Sequence, residues 1–186
     1  MEFTVLKTRV KISPLFFAVL TAFLLADRGG IAAPVICFSL LHELCHFAVL
    51  GALKKAPREV NISAAGISMR LCGMSTAERV LVFAAGAAGN FAAAVLCFAA
   101  DRELFCGVNL AIGIFTMLPL CSADGGSIFA ALAEKFFPER AKQLCKAVFT
   151  ACGAITAAAL FAAAAVYENP YLLIGAFYAV ICLIKY

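Results

Sequence analysis

The sequence predicts an all-α polytopic membrane protein with about six transmembrane helices and a zinc site within the membrane. Three observations predict it. Of 186 residues, 65% are hydrophobic and 14% charged, with a mean hydropathy of +1.00, whereas a soluble domain carries about 25% charged residues. Six apolar runs alternate with more polar links. One of those runs contains His42-Glu43-Leu44-Cys45-His46.

A spanning helix needs about 17–25 apolar residues, fewer when its flanks help. The first run covers residues 12–26, is short and carries Pro14. It could be mistaken for a secretory signal, but Leu24 stands where a small residue should precede cleavage after Ala26. The second run, residues 31–53, holds the histidine motif. The third is 80–100 and the fourth 104–123. The fifth is 147–167, whose alanine-rich stretch 157–165 suits close helix packing. The sixth is 170–184.

The links between runs are of two kinds. Those at 27–30, 101–103 and 168–169 are tiny, and those at 54–79 and 125–146 are longer. Residues 59–69 alternate in part, with Val60, Ile62 and Ile67 among small polar residues. This predicts a short β-hairpin between helices 2 and 3, turning at Ala65-Gly66. An edge strand there could hold an extended substrate by strand addition; an ordinary loop is the plain alternative.

Charge fixes orientation. With the amino terminus inside and alternating spans, thirteen of the fifteen Lys and Arg residues fall inside, and only Arg28 and Arg102 outside. The positive-inside rule then puts both termini in the cytoplasm. A net charge of +4 is too small to suggest nucleic-acid binding. The nine cysteines form no C-x-x-C pair and lie mostly in apolar runs, as small packing residues do. The whole chain, 1–186, is expected to be one membrane-embedded domain.

H-E-x-x-H sets two imidazoles one turn apart on one helix face, where both can close on a single zinc ion. Glu43 beside them can act as a general base toward water. In an apolar run the alternative is costly, because His42, His46 and Glu43 would have to satisfy one another without a metal.

Catalytic zinc takes three protein ligands, and His42 and His46 are the only histidines. The third ligand must therefore be a carboxylate or thiolate. Most acidic residues fall in outer turns or beyond the spans, which leaves Asp124 and Glu134. Glu134 adjoins Lys135 and reads as a solvated ion pair. Asp124 closes the fourth run, five residues after Pro119 and just before Gly125-Gly126. Pro119 removes a helix hydrogen bond and the glycines let the backbone bend, and a broken helix is tolerated where it lines a cavity. His46 lies eight residues before Lys54, or about 12 Å from that end of its helix, so the depths are compatible. Capping of the following helix is the alternative use of Asp124. Cys45 and Cys121, close to the two motifs, are weaker candidates as ligands.

These motifs resemble the site-2 protease family of intramembrane zinc metalloproteases, most of all its small bacterial branch that includes the sporulation protease of sigma-factor processing. His42-Glu43-Leu44-Cys45-His46 matches the family's H-E-x-x-H. Ala85-Gly86-Ala87-Ala88-Gly89-Asn90 resembles its G-P-x-x-N element, with Ala87 in place of proline. Leu118-Pro119-Leu120-Cys121-Ser122-Ala123-Asp124-Gly125-Gly126 resembles its N-x-L-P-x-x-P-L-D-G-G element, whose aspartate is the third zinc ligand. Thr116 stands where that element has asparagine, and Ser122 where it has proline.

The resemblance covers about residues 12–185, and no PDZ or CBS domain of the kind that family members often carry is expected in this sequence. It also implies a cell-membrane zinc endopeptidase cutting membrane-spanning or membrane-associated chains near the cytoplasmic face. Glu43 would be catalytic, His42, His46 and Asp124 the metal ligands, and Asn90 and Thr116 substrate contacts. For Asn90 an interhelical hydrogen bond is the plain alternative. A metal-binding transporter or an inactive homologue is the competing reading. Against it, the chain has one broken segment, no internal repeat, and an intact Glu43.

Overall fold

The computed structural model describes residues 1–5, 8–27, 29–63, 66–169 and 171–184. Lys7, Arg28 and Lys185 of the charge pattern, Ala65 of the expected turn and Pro170 of the sixth run lie outside the described residues. The chain divides into two compact units, Met1–Phe115 and Thr116–Tyr186.

The first unit combines a sheet with helices. Strands β1 (Glu2–Val5), β2 (Thr8–Ile12), β3 (Glu59–Ser63) and β4 (Gly66–Arg70) lie in that order. β1–β2 and β3–β4 are antiparallel, and β2 runs parallel to β3 with Arg9 opposite Glu59. The hairpin expected between helices 2 and 3 is β3–β4, and Gly66 after its turn has φ +103°, a conformation that favours glycine. The other half of the sheet was not expected. Residues 2–12 read as the charged flank of the first run, yet Val10 and Ile12 alternate with Arg9 and Lys11 as a strand requires. Lys11 lies 3.3 Å from Glu59 and 3.9 Å from Glu2, spanning three strands.

Helix α1 (Pro14–Ala26) opens on its proline, whose missing N–H costs nothing at that position. α2 is Ala32–Ala52, α3 Thr76–Ala99 and α4 Glu103–Met117. The Asp27 carboxylate accepts the amides of Ala32 (2.9 Å), Ile31 (3.1 Å) and Gly29 (3.2 Å), which starts α2. These bonds, that from Ala32 foremost, hold its carboxyl below the usual carboxylate range. A capping box between Ser75 and Glu78 starts α3. Lys55, just past α2, bonds Glu78 (2.9 Å) and the Gly73 carbonyl (2.8 Å), tying one helix end to the next.

The second unit follows a break. α4 stops at Met117, two residues before Pro119, and α5 (Asp124–Phe136) starts after a short irregular stretch. A Cβ on Gly125 would strike the Met117 carbonyl, and one on Gly126 the Leu120 carbonyl. Only glycine lets the chain fold back so closely. α6 (Ala141–Val166) and α7 (Tyr171–Ile184) complete the unit, with Ala133, Cys145 and Phe149 in its core.

Among the described residues, three helices are long and apolar enough to cross a membrane: Ala32–Ala52, Thr76–Ala99 and Ala141–Val166. The other three expected spans are apolar helices α1, α4 and α7, of 13, 15 and 14 residues. At 1.5 Å per residue these reach about 20 Å, against about 30 Å of hydrocarbon. α1 cannot begin before Pro14, and α4 yields to Pro119. The fifth helix also starts six residues earlier than expected, at Ala141, because its first turns pack into the core of the second unit.

Candidate metal centre

α2 presents His42 and His46 on one face, 4% and 1% exposed. α3 packs against that face through small residues. A Cβ on Gly86 would lie 2.5 Å from Nε2 of both histidines. One on Gly89 would run into the Cys45 thiol. Glycine at both positions lets the backbones approach, as small residues do between membrane helices, and Gly86 leaves a space beside both Nε2 atoms.

Each imidazole is held at its other nitrogen. His46 Nδ1 lies 2.6 Å from the Val82 carbonyl, and His42 Nδ1 2.7 Å from Asn90 Oδ1. Asn90 Nδ2 donates to the Phe38 carbonyl (3.2 Å) and to Asn109 Oδ1 (2.9 Å), and Asn109 Nδ2 donates to the Phe105 carbonyl (2.8 Å). A carbonyl can only accept. Val82 therefore makes His46 Nδ1 a donor, and the carbonyls at Phe38 and Phe105 fix both amides so that His42 Nδ1 donates as well.

Both Nε2 atoms then turn lone pairs toward one another across 3.1 Å. Such a pair repels unless a cation lies between, whether a shared proton or a metal ion. Two nitrogens on one tetrahedral zinc, each at about 2.0–2.1 Å, would stand roughly 3.3–3.4 Å apart. The observed spacing, the donor chemistry and the space that a Cβ on Gly86 would fill all fit a metal ion. Second-row hydrogen bonds to Nδ1 are also what metal-ligating histidines usually have.

Glu43 follows His42 on α2 and is half-buried, with its Oε2 buried. Asp124 is the first residue of α5, in the second unit, half-buried. Thr116 lies in the last turn of α4, also half-buried. Glu134 is exposed beside Lys135. Asn90 is 0% exposed, and its amide is taken up by His42, Phe38 and Asn109.

Sequence reasoning missed Asn109 and the Val82 carbonyl. Asn109 was visible as the one amide in the run 104–123, and an amide in an apolar span needs a polar partner. A backbone carbonyl leaves no such mark.

No family model and no curated protein matches the chain. Among solved structures, it is similar to the Site-2 Protease from Methanocaldococcus jannaschii, with a TM-score of 0.68 over 100% of this chain and 94% of that one, at 15% identity. At that identity the likeness establishes a shared fold.

Proposed function

We propose that this chain is an intramembrane zinc endopeptidase that cuts membrane-spanning or membrane-associated polypeptides near the cytoplasmic face. One observation carries the reading: two buried imidazoles on an apolar helix, both pinned at Nδ1, aim their Nε2 lone pairs at one space, with Glu43 alongside. The fold shared with a site-2 protease supports it.

His42, His46 and Asp124 would hold the zinc, a donor set of two imidazoles and a carboxylate suited to that ion. When bound, zinc supplies Lewis acidity toward water and toward the scissile carbonyl. Glu43 takes a proton from the attacking water as the C–O bond forms, and then passes it to the leaving amine as the amide C–N bond breaks. Asn90 and the Val82 carbonyl hold the imidazoles in the tautomer that leaves Nε2 available. The substrate must unwind first, because a helical amide is screened by its own turns and already hydrogen-bonded. Thr116 is proposed as a weak substrate contact. The hydrogen bonds of Asn90 favour a role toward His42 over one toward substrate. Both termini are proposed to lie in the cytoplasm of a multi-pass, bacterial cell-membrane protein.

The test is co-expression with candidate single-span substrates. Glu43→Gln should lower cleavage on the order of 10²–10⁴-fold or more while zinc content and thermal stability in detergent match the parent. Undiminished cleavage by that variant would sink the proposal. In the same assay Asp124→Asn should lose activity, since asparagine brings no charge to the metal, and Glu134→Gln should keep it. The reverse result would reassign the third ligand to Glu134.

A further inference from the structure

We propose that Asn109 is a positioning residue for His42, acting from the neighbouring helix through Asn90. The inference rests on the metal-site reading above and adds to it the origin of the imidazole's polarity. Asn109 is bonded to Asn90 and to the Phe105 carbonyl, one residue removed from His42. Its side chain is 0% exposed in the middle of α4, a run otherwise almost wholly apolar. Burying an amide there is unfavourable unless all its polar atoms are used.

They are used in one direction only. The Phe105 carbonyl accepts Asn109 Nδ2 at 2.8 Å, which turns Asn109 Oδ1 toward Asn90. That oxygen accepts Asn90 Nδ2 at 2.9 Å, shorter than the 3.2 Å bond from Asn90 to the Phe38 carbonyl. Asn90 Oδ1 is thereby left facing His42 Nδ1 at 2.7 Å. If Asn90 flipped, its NH₂ would face His42, and Oδ1 would face two acceptors. His42 would then have to present a lone pair at Nδ1 and its proton at Nε2, the nitrogen beside His46. A link that merely joined α4 to α3 would work in either polarity. The carbonyl of Phe105 selects the polarity that keeps the His42 proton on Nδ1.

The experiment uses the full-length protein in detergent with ¹⁵N-labelled histidine. The chain has only two histidines, so the spectrum reports this site alone. In Asn109→Leu, an apolar residue suited to the span, the His42 Nδ1–H signal should weaken through solvent exchange. The His46 signal, held by Val82, should stay. Zinc affinity, read against a chromophoric chelator, should fall about ten-fold, the lower end for outer partners of metal-ligating histidines. Asn109→Asp keeps an oxygen toward Asn90 and, as the neutral acid that an apolar span favours, an O–H toward the Phe105 carbonyl, so it should stay near the parent in both readouts.

An unchanged His42 signal in Asn109→Leu would overturn the proposal. So would equal loss at both histidines, which would mean general loosening, or an Asn109→Asp variant as impaired as Asn109→Leu. Loss of the His42 signal alone, in a parent protein that binds no zinc, would uphold the positioning role and overturn the peptidase reading instead.

Discussion

At the scale of residues, the centre depends on an atom that is missing. Replacing glycine by alanine inside a helix normally favours the helix by about 0.8–1.0 kcal/mol. At Gly86 the added methyl would sit 2.5 Å from both Nε2 atoms, in the space assigned to the metal. Gly86→Ala is therefore expected to keep helical content and lose zinc. Metal analysis of the purified variant decides it, and about one zinc per chain would refute the placement. The histidine pair was legible from sequence because i, i+4 spacing maps directly onto one helix face. Gly86 was visible only as part of a motif, and its reason lies across the helix interface. Asn109 went unread because its partner, Asn90, is nineteen positions away on another helix, a distance no local periodicity reports.

Among elements, the three longest helices end alike. After α2, α3 and α6 the chain enters the left-handed region at Lys54 (φ 54°), Asp101 (φ 54°) and Glu168 (φ 49°). Each turn is closed by a bond back to the third-last helical carbonyl: Lys55 to Leu50 (2.9 Å), Arg102 to Cys97 (2.8 Å) and Asn169 to Ala164 (3.2 Å). Glycine usually fills this position. Here charged residues do, which also marks the ends of the apolar runs. The conformation costs an L-residue about 1–2 kcal/mol, partly offset by the greater entropy glycine loses on folding. Glu168→Gly should therefore stabilise by about 0.5–1 kcal/mol, measured by denaturant titration in detergent; a clear destabilisation would show that the Glu168 side chain does more than end a helix. The ends of α3 and α6 were readable within a residue or two because charge and hydropathy change together there. Strands β1 and β2 were not. They are four and five residues long, and the parallel partner of β2 lies some fifty residues downstream, so their pairing leaves no local signal beyond alternation.

For the whole molecule, the proposed orientation has a physical basis that goes beyond counting charges. Within the first unit the sheet connects directly to the start of α1, the end of α2 and the start of α3. Its two edge strands, β1 and β4, expose backbone groups that hydrocarbon cannot satisfy, so the sheet must lie in water or at the interface. Those three helix ends therefore share one side of the membrane. The same side carries Arg9, Lys11, Lys54, Lys55, Arg58, Arg70 and Arg79. The opposite turn, between α3 and α4, holds Arg102 between Asp101 and Glu103. Basic residues resist translocation, so the sheet side is expected in the cytoplasm. A reporter active only outside the cell should be silent when fused at either terminus and active when inserted at residues 101–103. Activity at the amino terminus with silence at 101–103 would invert the first unit and move the proposed cut to the outer face. Activity at the carboxyl terminus alone would leave the first unit as drawn and change the number of spans that follow it.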